Sequence, residues 1–151
     1  MTTIHKKKSL LTIANNSIKG GDNYLFRNLY VEDDKGNIVD VLEDGGNSCA
    51  AFVSWILLGL GLIKLPHATV DSTVKDLLNN GLQEIKEPKA GAVLLWEKLA
   101  EHRHIGFYAG NGEAISNDSR GSRFPRKHHY TYNNTRKIDK IYWHPELDED
   151  E

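Results

Sequence analysis

One cysteine and seven histidines are the residues of this chain best suited to nucleophilic and acid–base chemistry. Cys49 lies within "NSCAAFVSWIL", residues 47–57, whose apolar side chains recur with the spacing of a helix. Asn47 or Ser48 can cap that helix, so Cys49 falls in its first turn. The positive end of the helix dipole favours a thiolate there, and this position predicts a nucleophile.

A structural role for Cys49 fits the same pattern. Cys49 shares its helical stripe with Phe52, Val53, Ile56 and Leu57, and such a stripe faces the core. A free cysteine is among the residues most often buried in proteins. The helix by itself therefore leaves both interpretations open.

A nucleophilic thiol needs a base, and His104 is the candidate that the sequence favours. It opens "HIGFYAG", a run whose β-branched and aromatic residues predict a strand. A strand holds the backbone of His104 while its ring points to one face. His5, His67, His102 and His144 instead fall in loops, in turns or near the ends of the chain.

The hairpin after His104 offers a residue to orient its ring. "HIGFYAG" and "EAISN" flank "GNG", a strong turn signal. A two-residue loop pairs Gly106 with Asn117, which then shares the face of His104, whereas a three-residue loop pairs Gly106 with Ser116. An amide oxygen is the better acceptor for an imidazole, so we favour Asn117 and keep Ser116 as the alternative.

Taken in order, "NSCAAFVSWIL", "PKAGAVLLWE" and "HIGFYAGNGEAISN" resemble the signatures of the NlpC/P60 family of papain-like cysteine peptidases and amidases. The resemblance covers roughly residues 45–118. It implies that Cys49 attacks an amide carbonyl, that His104 activates the thiol and protonates the leaving amine, and that a third polar residue orients the imidazole. Counting along the family pattern without gaps places this third residue at Ser116, one short of Asn117.

Substrate contacts are the part of the resemblance that departs most from the family pattern. The usual Asp-Cys-Ser-Gly reads Ser48-Cys49-Ala50-Ala51 here, and the usual Pro-Gly-Asp reads Ala90-Gly91-Ala92. Family members also tend to place a tyrosine near the thiol. We therefore expect substrate contacts from Ser48 and from Tyr24 or Tyr30.

The order of elements predicts an α+β fold. Helices are expected near the start, ended by Gly20-Gly21, then from Cys49 to about Leu60 and from about Asp71 to Asn79. Strands follow to the end of the chain. The resemblance implies a papain-like NlpC/P60 core, with N-terminal helices packed on an antiparallel sheet. Residues 1–151 are expected to form one catalytic domain, with a flexible acidic tail at about 146–151.

Composition narrows the possible partners. A net charge of −2 argues against a nucleic-acid partner, and no run of the sequence is long and apolar enough for a membrane span. No zinc motif is complete around "EHRH" or "KHH", so we expect neither a metal nor a cofactor. "SRGSRFPRKHHY" is basic, which suits either an acidic substrate or a solvated segment beside the cleft.

The predicted function is hydrolysis of an amide bond, in peptidoglycan stem peptides or a related peptide. The alternatives are a papain-like acyltransferase, a peptidase of intracellular proteins, and a degenerate module that binds glycan or peptide. The apolar run "LLTIA" is too short for a secretory signal. A cytoplasmic, non-Sec exported or phage-associated protein is therefore expected; the oligomeric state is left open.

Overall fold

Helices dominate the first half of the chain and strands the second. The computed structural model describes residues 2–150. Its α-helices and strands are α1 (Lys6–Asn16), β1 (Tyr30–Glu32), β2 (Ile38–Asp40), α2 (Cys49–Gly59), α3 (Val70–Asn79), β3 (Gln83–Ile85), β4 (Val93–Leu99), β5 (His102–Gly110), β6 (Glu113–Asn117), β7 (Pro125–His129) and β8 (Ile138–Trp143). Short 3₁₀ helices span Tyr24–Phe26 and Pro145–Asp150. The α+β prediction is confirmed.

A six-stranded antiparallel sheet forms the framework of the protein. Its strand order is β3-β8-β4-β5-β6-β7, and each neighbouring pair runs antiparallel. The central strand β4 begins with four consecutive buried residues, "VLLW". A strand buried on both faces reads as such an unbroken apolar run. The β1–β2 hairpin forms a separate two-stranded sheet.

Helix α2 packs against β5 and β6 and lies at the centre of the molecule. Its residues 49–54, 56 and 57 are all buried, so burial extends well beyond one stripe. Phe52 meets Phe107 of β5 edge to face, with ring centroids 5.6 Å apart. Helices α1 and α3 contact its other sides. A helix that is apolar nearly all round is expected in such a position.

The β5–β6 hairpin contains a bulge that the sequence did not indicate. Gly110 pairs with Glu113 across a two-residue loop, but Tyr108 pairs with Ala114 and Phe107 with Ile115. Ala109 is therefore an extra residue on β5. The loop has the shorter of the two lengths considered above, yet the bulge shifts the register and brings Gly106 against Ser116.

One helix end and one strand differ from the sequence prediction. Helix α1 ends at Asn16 rather than at Gly20-Gly21, and the Ser17 hydroxyl caps it by donating to the Ala14 carbonyl. β3 was not predicted, because a strand of three residues, two of them exposed, carries too little periodicity. α3 begins at Val70, within one residue of the expected start at about Asp71, and the hydroxyl of its N-cap Thr69 accepts a hydrogen bond from the Ser72 N–H.

The acidic end is folded over its first part, so the expectation of a flexible tail from residue 146 is wrong there. Leu147 is buried, Glu146 pairs with Lys6 at 2.9 Å, and the Trp143 indole donates to Asp148 at 2.9 Å. The Glu146 ion pair holds this segment against α1, and the Asp148 hydrogen bond holds it to the end of β8. Glu151 lies outside the described residues. No helix within residues 2–150 is long and apolar enough to cross a membrane.

Gly106 is the position where substitution tests the strand register. A Cβ there would lie 2.7 Å from Ser116 Cβ and 2.8 Å from the Ile115 carbonyl oxygen. Gly106→Ala is therefore expected to lower the free energy of unfolding by about 1–3 kcal/mol, the usual cost of overpacking a core. Urea unfolding followed by tryptophan fluorescence measures the loss.

Gly59→Ala is the matched control, because within residues 2–150 no atom beyond its chain neighbours and the backbone of α2 itself lies within 4 Å of the Cβ that it adds at the last residue of α2. It should leave stability unchanged or raise it slightly, since alanine favours the helix. Equal unfolding midpoints for the Gly106→Ala variant and the wild type would contradict the register.

Candidate active site

The first turn of α2 places Cys49 at the edge of a cavity of about 420 Å³. This cavity, the Cys49 cavity, is lined by Gly46, Asn47, Cys49, Leu99, His102, Arg103, His104, Asn117, Asp118, Ser119, Arg120, Tyr132, Thr135 and Arg136. A smaller cavity of about 150 Å³ also reaches Cys49 and runs to the start of α3. The only thiol of the chain therefore lies where two clefts meet.

Helix α2 begins at Cys49 as the sequence predicts, but it begins without a side-chain cap. Ser48 occupies the N-cap position, and its side chain makes no capping hydrogen bond. The Ser48 hydroxyl is buried and has no hydrogen-bond partner among the described residues. First-turn N–H groups that a capping side chain does not take are available to a ligand.

Strand β5 carries His104 to the same cavity. The residue is 8% exposed, and its ring lies against Trp96, the residue paired with it on β4, with ring centroids 4.9 Å apart. Its Nε2 lies 2.9 Å from Ser116 Oγ. Since Nε2 is held by Ser116, Nδ1 is the ring nitrogen left for the thiol.

The preference for Asn117 as the residue that orients His104 is wrong. The Ala109 bulge puts Ser116 on the face of His104 and turns Asn117 to the opposite face of the sheet. The Asn117 amide donates to the Gly45 carbonyl and to Ser119 Oγ, both at 2.9 Å. Asn117 thus ties the end of β6 to the loop that leads into α2, and the alternative Ser116 contacts the imidazole.

Burial makes both reacting groups neutral in the resting protein. It raises the pKa of the Cys49 thiol, although backbone hydrogen bonds from Ile105 and Ala50 act in the opposite direction. Burial, followed by the charges of Arg136 and His128, lowers the pKa of His104 to about 3. The helix start was expected to favour a thiolate, but desolvation outweighs it.

A fixed cation was missed from the sequence. Arg136 lines the Cys49 cavity, and its guanidinium donates to the carbonyls of Glu97 and His102 at 3.0–3.1 Å. Carbonyl partners hold the group without neutralising it. Arg136 lies 32 residues beyond His104, so only the pairing of β8 beside β4 could have indicated it.

The basic stretch "SRGSRFPRKHHY" borders the Cys49 cavity through Ser119 and Arg120 at its start. Arg120 is among the lining residues, together with the acidic Asp118. Arg126 instead pairs with Asp22 at 3.0 Å, outside the cavity. The stretch thus contributes one cation to the lining, while Arg123 and Lys127 are exposed elsewhere.

The three residues expected to contact substrate are not brought to the cavity. Ser48 is fully buried, because α2 packs on all sides at its start. Tyr24 is 67% exposed and packs edge to face on Phe124, and Tyr30 is 65% exposed on the β1–β2 hairpin. Neither tyrosine lines the Cys49 cavity. Within residues 2–150, no group of His, Cys, Asp or Glu side chains is arranged to hold a metal.

The raised pKa of Cys49 predicts slow alkylation at neutral pH. A thiol is nucleophilic only as thiolate, so the rate with iodoacetamide should rise only above the ordinary thiol value of about 8.5. Mass spectrometry of the modified chain, measured between pH 6 and 10, gives the profile. A plateau near neutral pH that disappears in His104→Ala would contradict a neutral resting pair.

Comparison with known proteins assigns the chain to a family. The NlpC/P60 family model matches residues 35–149, a range that includes Cys49, His104, Ser116 and Arg136. No match is found among curated proteins. Because the family model covers most of the chain, the protein is a member of the NlpC/P60 family, whose members are generally cysteine peptidases or amidases.

Proposed function

We propose that this protein is a cysteine hydrolase that cleaves an amide bond in a peptide, with peptidoglycan stem peptides as the substrate. The observation that carries the proposal is the meeting of Cys49 and a neutral His104 in one cavity. A neutral imidazole can accept the thiol proton, and a protonated one cannot. Membership of the NlpC/P60 family supports a cell-wall substrate, because the activity of the family is typically related to the cell wall.

The reaction begins with attack by Cys49 Sγ on the amide carbonyl carbon. His104 Nδ1 takes the thiol proton as the C–S bond forms, and the carbonyl oxygen becomes an oxyanion. Backbone N–H groups in the first turn of α2 stabilise that oxyanion. Imidazolium and oxyanion form together, and their attraction offsets part of the cost of placing each charge in a dry site.

The second half of the reaction regenerates the thiol. The imidazolium protonates the leaving amine as the C–N bond breaks, which leaves a thioester on Cys49. His104 then removes a proton from water, which attacks the thioester and releases the carboxylic acid. The sulfur recovers its proton from the imidazolium. No redox partner is needed at any step.

The shape and charge of the site support a peptide with acidic groups. The two cavities that meet at Cys49 suit a chain that extends on both sides of the scissile bond. The charge of Arg136 is not neutralised by the carbonyl oxygens to which it donates, whereas Arg103 forms an ion pair with Asp71 at 2.8 Å. A free carboxylate of a stem peptide would complement Arg136.

Loss of either reacting group should abolish turnover of peptidoglycan fragments. Cys49→Ala removes the nucleophile, and activity should fall to background. His104→Ala removes the base and should lower kcat by about 10²–10⁴-fold. Chromatography of muropeptides with mass detection measures the products.

His102→Ala is the matched control, because His102 is a second histidine of β5 that lines the same cavity. It should change KM more than kcat. The result would indicate a binding module instead if the wild type binds the fragments without turnover and the Cys49→Ala variant binds them equally well. Transfer of the acyl group to an added amine in place of water would indicate an acyltransferase.

The lowered pKa of His104 predicts activity that persists in acid. The group is neutral above about pH 3, so kcat/KM should not decline as the pH falls through the ordinary histidine value of about 6.5. Tryptophan fluorescence at each pH verifies that the protein stays folded. An acid limb near pH 6.5 in folded protein would show that His104 titrates normally and would contradict the prediction.

A further inference from the structure

We propose that His128 is a positioning residue of this site, which acts through Ser116 to keep the Nδ1 lone pair of His104 free for the thiol. Ser116 Oγ lies 2.7 Å from His128 Nε2 and 2.9 Å from His104 Nε2. The serine therefore bridges the two imidazoles. The inference rests on the proposed function, since it explains how the base is prepared.

The position of the proton on His128 follows from its other contact. His128 Nδ1 lies 2.8 Å from the carbonyl oxygen of His129. A carbonyl oxygen only accepts hydrogen bonds, so Nδ1 carries the hydrogen. Burial lowers the pKa of His128, which keeps the ring neutral near pH 7. A neutral imidazole with a hydrogen on Nδ1 has a lone pair on Nε2, and Ser116 must donate to it.

The single hydroxyl hydrogen of Ser116 is thereby used. Its oxygen has two lone pairs left, and two donors lie within reach: His104 Nε2–H at 2.9 Å and the Tyr132 hydroxyl at 3.2 Å. This arrangement satisfies all three contacts of Ser116 Oγ. If Ser116 donated to His104 instead, two lone pairs would face each other 2.7 Å apart at His128 Nε2.

Ser116 needs an acceptor such as His128 in order to fix the tautomer of His104. A hydroxyl both donates and accepts, so by itself it stabilises either neutral form of His104. The form with hydrogen on Nδ1 would present a donor to the thiol, and it could not take the thiol proton. His128 removes this ambiguity because it accepts the Ser116 hydrogen.

Aromatic packing holds the bridge in place. The His128 ring stacks on Tyr132, with centroids 4.1 Å apart and an interplanar angle of 14°. Trp96 lies 4.9 Å from the His104 ring and 5.7 Å from the His128 ring, and its indole donates to the Tyr130 carbonyl at 2.7 Å. The two imidazoles are therefore fixed against one buried tryptophan.

Two substitutions at His128 separate hydrogen bonding from packing. His128→Phe keeps a ring against Tyr132 but has no acceptor. His128→Gln loses the ring but places an amide oxygen where Nε2 lies. The readout is the ¹⁵N chemical shift of both His104 ring nitrogens in histidine-labelled protein, which reports which nitrogen carries hydrogen and requires no catalysis.

In wild type and His128→Gln, we expect hydrogen on Nε2 of His104. In His128→Phe, the freed Ser116 hydroxyl can donate to Nε2, and we expect the form with hydrogen on Nδ1 to become populated. Hydrogen on Nδ1 in wild type, or an unchanged tautomer in a folded His128→Phe variant, would overturn the proposal. If His128→Phe does not fold, Ser116→Ala tests the bridge from its centre, and an unchanged tautomer there has the same meaning.

Kinetics provide a second, independent readout. His128→Phe should lower kcat by about 10- to 100-fold with little change in KM, the scale of losing an outer partner of a functional histidine, and His128→Gln should recover most of it. Equal loss of kcat in both variants would indicate a packing role and would overturn the proposal. If no variant and no wild-type sample shows turnover, the proposed function fails, while the ¹⁵N shifts still decide whether His128 sets the tautomer.

Discussion

The close approach of β5 and β6 at Gly106 constrains the rest of the site. Gly106 leaves space for a hydrogen atom but not for a side chain, because the Ser116 side chain and the Ile115 carbonyl lie against it. This close contact fixes the register between β5 and β6. The Ala109 bulge makes this contact possible, because it advances β5 by one residue before the loop. From that register follow the bond from His104 to Ser116, the orientation of Asn117 toward Gly45, and the anchoring of the loop that starts α2.

Exclusion of water governs the electrostatics of this site. Cys49 and His104 are each 8% exposed, and burial is the largest influence on the pKa of both. A buried thiolate beside a buried imidazolium would need compensating charge, yet the charge that acts most strongly on the pKa of His104, that of Arg136, disfavours the imidazolium. Charge is instead generated during attack, when the substrate oxyanion and the backbone N–H groups are in place.

Local patterns predicted the elements that hold the reacting atoms. Cys49 falls at a helix start and His104 within a strand, since both depend on short-range spacing and turn residues. The register of β6 could not be predicted, because a single bulged residue exchanges the two faces and "YAGNGE" carries no mark of it. Arg136 and His128 reach the site only through strand pairing over long stretches of sequence. Burial of Ser48 and the exposure of Tyr24 likewise depend on tertiary packing.

The third position of the site shows why residue type and partner must be considered together. An amide or a second imidazole at this position has its donor and its acceptor on separate atoms, whereas a serine hydroxyl offers both from one oxygen. Ser116 therefore specifies a tautomer only because His128 lies 2.7 Å away with its own hydrogen committed to the His129 carbonyl. Each hydrogen bond in this network therefore sets which atom donates in the next. The network ends at the His129 carbonyl oxygen, which can only accept. A site with a serine at this position and no acceptor behind it would hold the same atoms at the same distances and lack a defined base.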